Sequence, residues 1–153
     1  MRTIRIQTED FDPGAECAAL AAGRTAVGAV VAFTGLVRGD DGISELTLEH
    51  YPGMTEREIG RHVEEAQNRW HLLGATIIHR VGRLAPGERI VLVAVASAHR
   101  HKAFEATEFL MDYLKTRAPF WKQEQRGTES AWIDARDSDA NAAGRWRDEP
   151  RKS

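Results

Sequence analysis

The longest unbroken apolar run in the chain is Ile90–Val–Leu–Val–Ala–Val–Ala96. Apolar residues without alternation, most of them β-branched, predict a strand covered on both faces. The period then changes. Ala103, Thr107, Leu110 and Leu114 recur at helical spacing, with Phe104 and Met111 widening the stripe. Pro119 ends that helix, because the residue before a proline is pushed out of the α region.

The same patterns organise the rest of the chain. Ile4 and Ile6 alternate with polar neighbours over Thr3–Gln7, which predicts a half-buried strand. Asp12 as N-cap and Pro13 at the first helical position open a helix that Gly23 stops. Val27–Thr34 predicts a second buried strand, running into a Gly35–Leu36–Val37–Arg38 loop and a turn over Gly39–Gly42. Ile43–His50 returns as a strand with Leu46 and Leu48 on one face. After a break at Tyr51–Met54, Thr55 and Glu58 have the spacing of a capping box. The helix they open carries Ile59, Val63, Ala66 and Trp70 on one stripe, and Gly74 follows it. Thr76–His79 is a strand, Arg83–Glu88 a turn marked by Pro86–Gly87, and Phe120–Glu124 and Ala131–Ile133 are two further strands. Asp137 caps a last short helix through Trp146. The reading is one α+β domain over 1–146 and a charged, flexible tail over 147–153, with no repeat or linker.

Composition narrows the function classes. At 153 residues with 42% hydrophobic content, the chain is long enough to bury a core and too apolar for general disorder. A net charge of −2 argues against a nucleic-acid binder, whose footprint is strongly basic. No apolar run reaches membrane-span length and Met1–Arg–Thr–Ile–Arg–Ile has no signal-peptide character, so a cytoplasmic protein without membrane contact is expected. The one cysteine, Cys17, excludes an internal disulfide. It sits among alanines with nothing basic beside it to stabilise a thiolate, and reads as a small packing residue.

The candidate chemistry gathers after the central strand. His99 and Arg100 follow it at once, Lys115 falls in the last turn of the following helix, and Lys122 lies past an Ala–Pro–Phe–Trp elbow. Cations sharing an apolar pocket depress one another's pKa, which makes a lysine useful in proton transfer. Lys115 is equally well read as a cation compensating a helix C-terminus. Arg38, in a glycine-flanked loop after a buried strand, is a further candidate. His99 and His101 lack a third ligand at a metal-site spacing, so no metal is expected. Taken alone, these residues support binding of a small anion.

Longer strings carry more. Phe33–Thr–Gly–Leu–Val–Arg38, Leu46–Thr–Leu–Glu–His–Tyr–Pro–Gly–Met54, Ser97–Ala–His–Arg100 and Met111–Asp–Tyr–Leu–Lys–Thr–Arg–Ala–Pro–Phe–Trp–Lys122 closely resemble the catalytic (large) subunit family of molybdopterin synthase, in order and spacing, over about 1–146. The resemblance implies an α/β hammerhead-type fold with a mixed or antiparallel sheet and flanking helices. It also implies a large-subunit homodimer within a heterotetramer. A small ubiquitin-like sulfur carrier inserts its C-terminal Gly-Gly thiocarboxylate, and a sulfurtransferase reaction converts cyclic pyranopterin monophosphate (precursor Z) into the molybdopterin dithiolene. No cofactor is implied. By the same resemblance the substrate pocket comprises Leu36, Val37, Arg38, His99, Arg100, Lys115, Lys122, Gln123, Glu124 and Arg136, with Lys115 and Lys122 catalytic. Lys115 would accompany the thiocarboxylate, Lys122 would contact substrate and move protons, the arginines would hold the phosphate, and His99 would orient or donate a proton. Some members carry Lys where this chain has Leu36, so only a backbone role transfers there. Because sulfur arrives on the partner's tail, Cys17 is dispensable on this reading.

Two other readings remain open on the residues: a non-enzymatic dimeric scaffold that binds a ubiquitin-like tail, and a small nucleotide- or RNA-binding module using Arg100, Lys102 and Trp121. Negative charge and the lack of interleaved aromatic and basic residues on one strand weigh against the second.

Overall fold

A computed structural model describes residues 1–40, 42–127, 129–133 and 146. Eleven elements follow one another: β1 (Arg2–Gln7), α1 (Pro13–Ala21), β2 (Ala29–Leu36), β3 (Glu45–His50), α2 (Met54–Trp70), β4 (Gly74–Arg80), β5 (Gly82–Leu84), β6 (Arg89–Ser97), α3 (Arg100–Thr116), β7 (Phe120–Arg126) and β8 (Glu129–Ile133). The mixed α+β architecture is as the patterning implies. The last helix, the 147–153 tail and Arg136 lie outside the described residues.

The strands form two four-stranded sheets, β1-β4-β6-β2 and β5-β3-β7-β8. In the first, β1 runs parallel to β4, and the other pairs are antiparallel. The second is antiparallel throughout. As its composition requires, β6 is central in the first sheet, with every residue from Val91 to Ser97 buried. One face of that sheet packs Ile77, Val91, Val93 and Val95 against Ile59, Val63, Trp70, Phe109 and Leu110 of α2 and α3. The other face packs Ile78, Leu92, Ala94 and Ala96 against Phe11 and Leu20 around α1. A smaller cluster of Val37, Leu46, Leu48 and Leu84 lies on the second sheet and reaches Ile90 of the first. Among the described residues, no helix is long and apolar enough to cross a membrane.

Local signals mostly do what their chemistry predicts. The Asp12 carboxylate accepts from the Ala15 N–H at 3.2 Å, with Pro13 opening α1. The expected Thr55/Glu58 capping box is not formed. Instead α2 starts two residues earlier, with Gly53 as N-cap, and the Glu56 carboxylate accepts from the Gly53 N–H at 3.1 Å. Thr55 is fully buried and serves the tertiary structure: its hydroxyl accepts from the Tyr51 N–H at 3.0 Å and donates to the Pro119 carbonyl at 3.1 Å. Glu58 pairs with Arg61. The expected turn over Arg83–Glu88 begins later, because Gly82–Leu84 pairs with β3 as β5. α2 ends at Trp70 with its C-cap His71 in the left-handed conformation, and Gly74, which follows it as expected, begins β4. Phe104, expected on the buried stripe of α3, is 60% exposed.

Candidate functional site

The sequence-predicted residues fall at two separate ends of the molecule. At the first end, β2 terminates at Leu36, which is paired with Arg89 at the start of β6 after a register shift that follows Gly35. Val37 is buried in the apolar cluster, and Arg38 emerges from it with its guanidinium on the Asp40 carboxylate at 3.2 Å. α3 runs back along β6 and brings the exposed Lys115 to this same end in its last turn.

The elbow held by Thr55 then feeds β7. Strand alternation places Phe120, Lys122 and Glu124 on the face that β3 lines with His50, Leu48 and Leu46. Glu124 is buried there and accepts from the Arg126 guanidinium at 3.0 Å. The resemblance grouped Gln123 with its neighbours. The structure turns it to the opposite face of the sheet, the face on which Trp121 meets Tyr51 edge-on at 4.0 Å between centroids.

Beneath the lysines lies His79, near the end of β4. Its ring stacks on Phe120, and Nδ1 is 2.8 Å from the Arg80 carbonyl. That contact makes Nδ1 the protonated nitrogen of a neutral imidazole. Burial pushes its pKa down to about 4, and the positive charges of Lys115, Lys122 and His50 push the same way. The histidine is therefore a neutral floor under a group of cations. No signal in the neighbouring residues marks what it packs beneath.

His99 and Arg100 lie elsewhere. His99 is the N-cap of α3, its N–H donating to the Ser97 hydroxyl at 3.3 Å, and both side chains are exposed. Ser97 ends β6 opposite Ala29, whereas Leu36 pairs with Arg89 at the other end of the same strand. A 17-residue helix separates Arg100 from Thr116, a length of about 25 Å. Within one chain, then, Arg38, Lys115 and Lys122 share an end that His99 and Arg100 do not reach. Among the described residues no three His, Cys, Asp or Glu side chains are grouped to hold a metal ion.

Comparison with known proteins identifies the family and the fold. Residues 6–117 match the family model described as MoaE protein. A "Molybdopterin synthase catalytic subunit" from Mesorhizobium japonicum is 60% identical over 148 residues, covering 95% of this chain and 93% of the relative. The solved MoaE protein from Burkholderia ambifaria superposes with a TM-score of 0.83 at 50% identity, covering 97% of this chain and all of the other. The molybdopterin synthase structure from Staphylococcus aureus gives 0.78 at 31% identity, over 87% of this chain and 98% of its own. The chain belongs to the MoaE protein family.

Proposed function

We propose that this chain is the catalytic subunit of a molybdopterin synthase. It moves sulfur from the thiocarboxylated C-terminus of a small ubiquitin-like carrier to cyclic pyranopterin monophosphate, forming the dithiolene. The observation that carries the assignment is the grouping of Lys115, Lys122 and the Arg38 loop at one end of the fold, above the neutral, buried His79. A thiocarboxylate and a phosphate are both anions, and a floor that stays uncharged adds no charge of its own beneath the cations. Lys115, exposed on a helix end, is placed to meet the incoming tail. Lys122, partly buried beside Leu48, suits proton transfer as the pyran ring opens. Arg38 supplies charge-assisted hydrogen bonds to the phosphate.

His99, Arg100 and Arg136 belong to the same pocket on this reading. Because His99 and Arg100 sit at the far end of β6, a pocket containing them and Lys115 takes residues from two copies of the chain. That requirement supports the homodimer, with one small subunit at each site. A cytoplasmic setting belongs to the same proposal, and cell fractionation tests it. The direct test of the function mixes the protein with a thiocarboxylated carrier and precursor Z and assays dithiolene. Binding of the carrier with no dithiolene would instead make the chain a scaffold.

A further inference from the structure

Behind the Arg38 loop lies a buried guanidinium that the proposed reaction does not use. The side chain of Arg80, at the end of β4, is 9% exposed. Its Nε and Nη2 donate to the Thr8 carbonyl at 3.1 and 2.9 Å, and Nη1 donates to the Arg89 carbonyl at 3.1 Å and to Glu88 Oε1 at 3.4 Å. A buried charge needs such partners, since desolvation strongly penalises an unpaired one. The Asp10 carboxylate, which takes the Arg89 guanidinium in two hydrogen bonds of 3.0 Å, lies 4.0 Å from Arg80 as well.

Glu88 passes this anchorage to the loop. Its second carboxylate oxygen accepts from the Ala85 N–H, and its own N–H donates to the Ala85 carbonyl at 3.1 Å, closing the Pro86–Gly87 turn. Gly87 has φ +90°, a backbone state that suits glycine. The closed turn then holds Val37 by two backbone bonds: the Val37 N–H donates to the Glu88 carbonyl at 2.9 Å, and the Gly87 N–H donates to the Val37 carbonyl at 2.8 Å. On the far side of Arg38 the backbone of Gly39 lies so close to the turn that an added Cβ would fall 2.8 Å from Pro86 Cβ. Arg38 is thus braced on both sides by one turn, and that turn is tied to Arg80.

We infer that Arg80 and Glu88 form a clamp that positions Arg38 for the substrate phosphate. Glu88 is a positioning residue, acting on the ligand through Val37 and Arg38. The inference rests on the assignment of Arg38 above. A loop displaced by about 1 Å loses much of its orienting power, and a phosphate contact made equally in ground and transition states appears in KM with kcat held.

The test uses the assembled enzyme with thiocarboxylated carrier and measures kcat and KM for the cyclic phosphate, with melting temperature alongside. Arg38→Ala sets the benchmark. Glu88→Ala should raise KM about tenfold with kcat within about twofold. Glu88→Gln, whose amide oxygen still accepts from the Ala85 N–H but whose NH2 faces the Arg80 guanidinium donor to donor, should recover only part of that loss. Gly39→Ala, which wedges the loop off Pro86 from the other side, should raise KM in the same way without touching Arg80. If Arg38→Ala raises KM while Glu88→Ala and Gly39→Ala leave it at the wild-type value, the clamp is overturned and the role of Arg38 stands. If Arg38→Ala leaves KM unchanged, the assignment of Arg38 falls and the clamp falls with it.

Discussion

The imidazole of His79 lies against the ring of Phe120 with centroids 4.0 Å apart and planes 21° from parallel. The contact joins β4 of one sheet to the first residue of β7 in the other, two residues ahead of Lys122. It has a pH signature. An exposed histidine in the unfolded chain titrates near 6.5, whereas His79 in the folded protein titrates at about 4. Between those values the unfolded state takes up a proton that the folded state refuses, so stability falls as the pH drops through this window and is fully present above it. The whole effect is on the order of 3 kcal/mol. Urea unfolding at a series of pH values should show this decline in the wild type. His79→Asn, which keeps a donor for the Arg80 carbonyl and does not titrate, should lack that component. An identical pH dependence in the two proteins would show that His79 is not its source.

Lys115 separates a structural from a chemical role. As a cation in the last turn of α3 it contributes about 0.3–1 kcal/mol, and arginine serves equally well. As a catalytic amine meeting the incoming tail it presents a compact, titratable nitrogen that a guanidinium cannot imitate. Lys115→Arg should therefore melt with the wild type, bind the carrier, and form dithiolene at least about a hundredfold more slowly. Near-normal turnover would leave the residue as a helix-end cation.

The buried hydroxyl of Thr55 ties the start of α2 to the Pro119 elbow. Thr55→Val keeps the shape and strands the Tyr51 N–H and the Pro119 carbonyl, at a cost of about 1–3 kcal/mol. Denaturant midpoints measure this directly. Because the elbow precedes β7, turnover should fall more than the loss of stability alone would cause. A variant as stable as the wild type would mean that both groups find other partners.

Cys17 is half-buried, and burial together with the neighbouring Glu16 pushes its thiol pKa up. Such a thiol is a poor nucleophile at neutral pH. Cys17→Ala should leave sulfur transfer at the wild-type rate. A folded variant without turnover would place sulfur on this side chain.

Where the determinants are local, the sequence foretells the structure closely. Asp12–Pro13 caps and opens α1, and the uninterrupted run through Val95 becomes the central strand. Thr55 shows the limit: its spacing to Glu58 suits a cap, yet its hydroxyl is drawn to a carbonyl of Pro119, far along the chain, and Glu56 caps the helix instead. β5 is too short to show a period, and exists because β3 lies alongside. For the site, Lys115 and Lys122 stand out from their helix end and elbow. The role of His79 beneath them arises from packing between two sheets, and the separation of Arg100 from Arg38 from the direction of β6. Neither relationship has a signature in adjacent residues.

The parallel pairing of β1 with β4 has a consequence in time. Arg2 is partnered by Ala75 and Gln7 by Arg80, so β1, synthesised before β4, has no ladder to join until β4 has followed it. Until then Ile4 and Ile6 remain without the helices and sheet they pack on. Long loop closures of this kind come late, after nearer contacts such as β4 with β6 have formed. β1 should then be absent from the rate-limiting barrier, and Ile4→Val should speed unfolding while leaving refolding nearly unchanged. Stopped-flow kinetics decide the point: a slowed refolding limb would put the N-terminal strand in the nucleus. If it docks last, β1 is the seal that closes an otherwise assembled core.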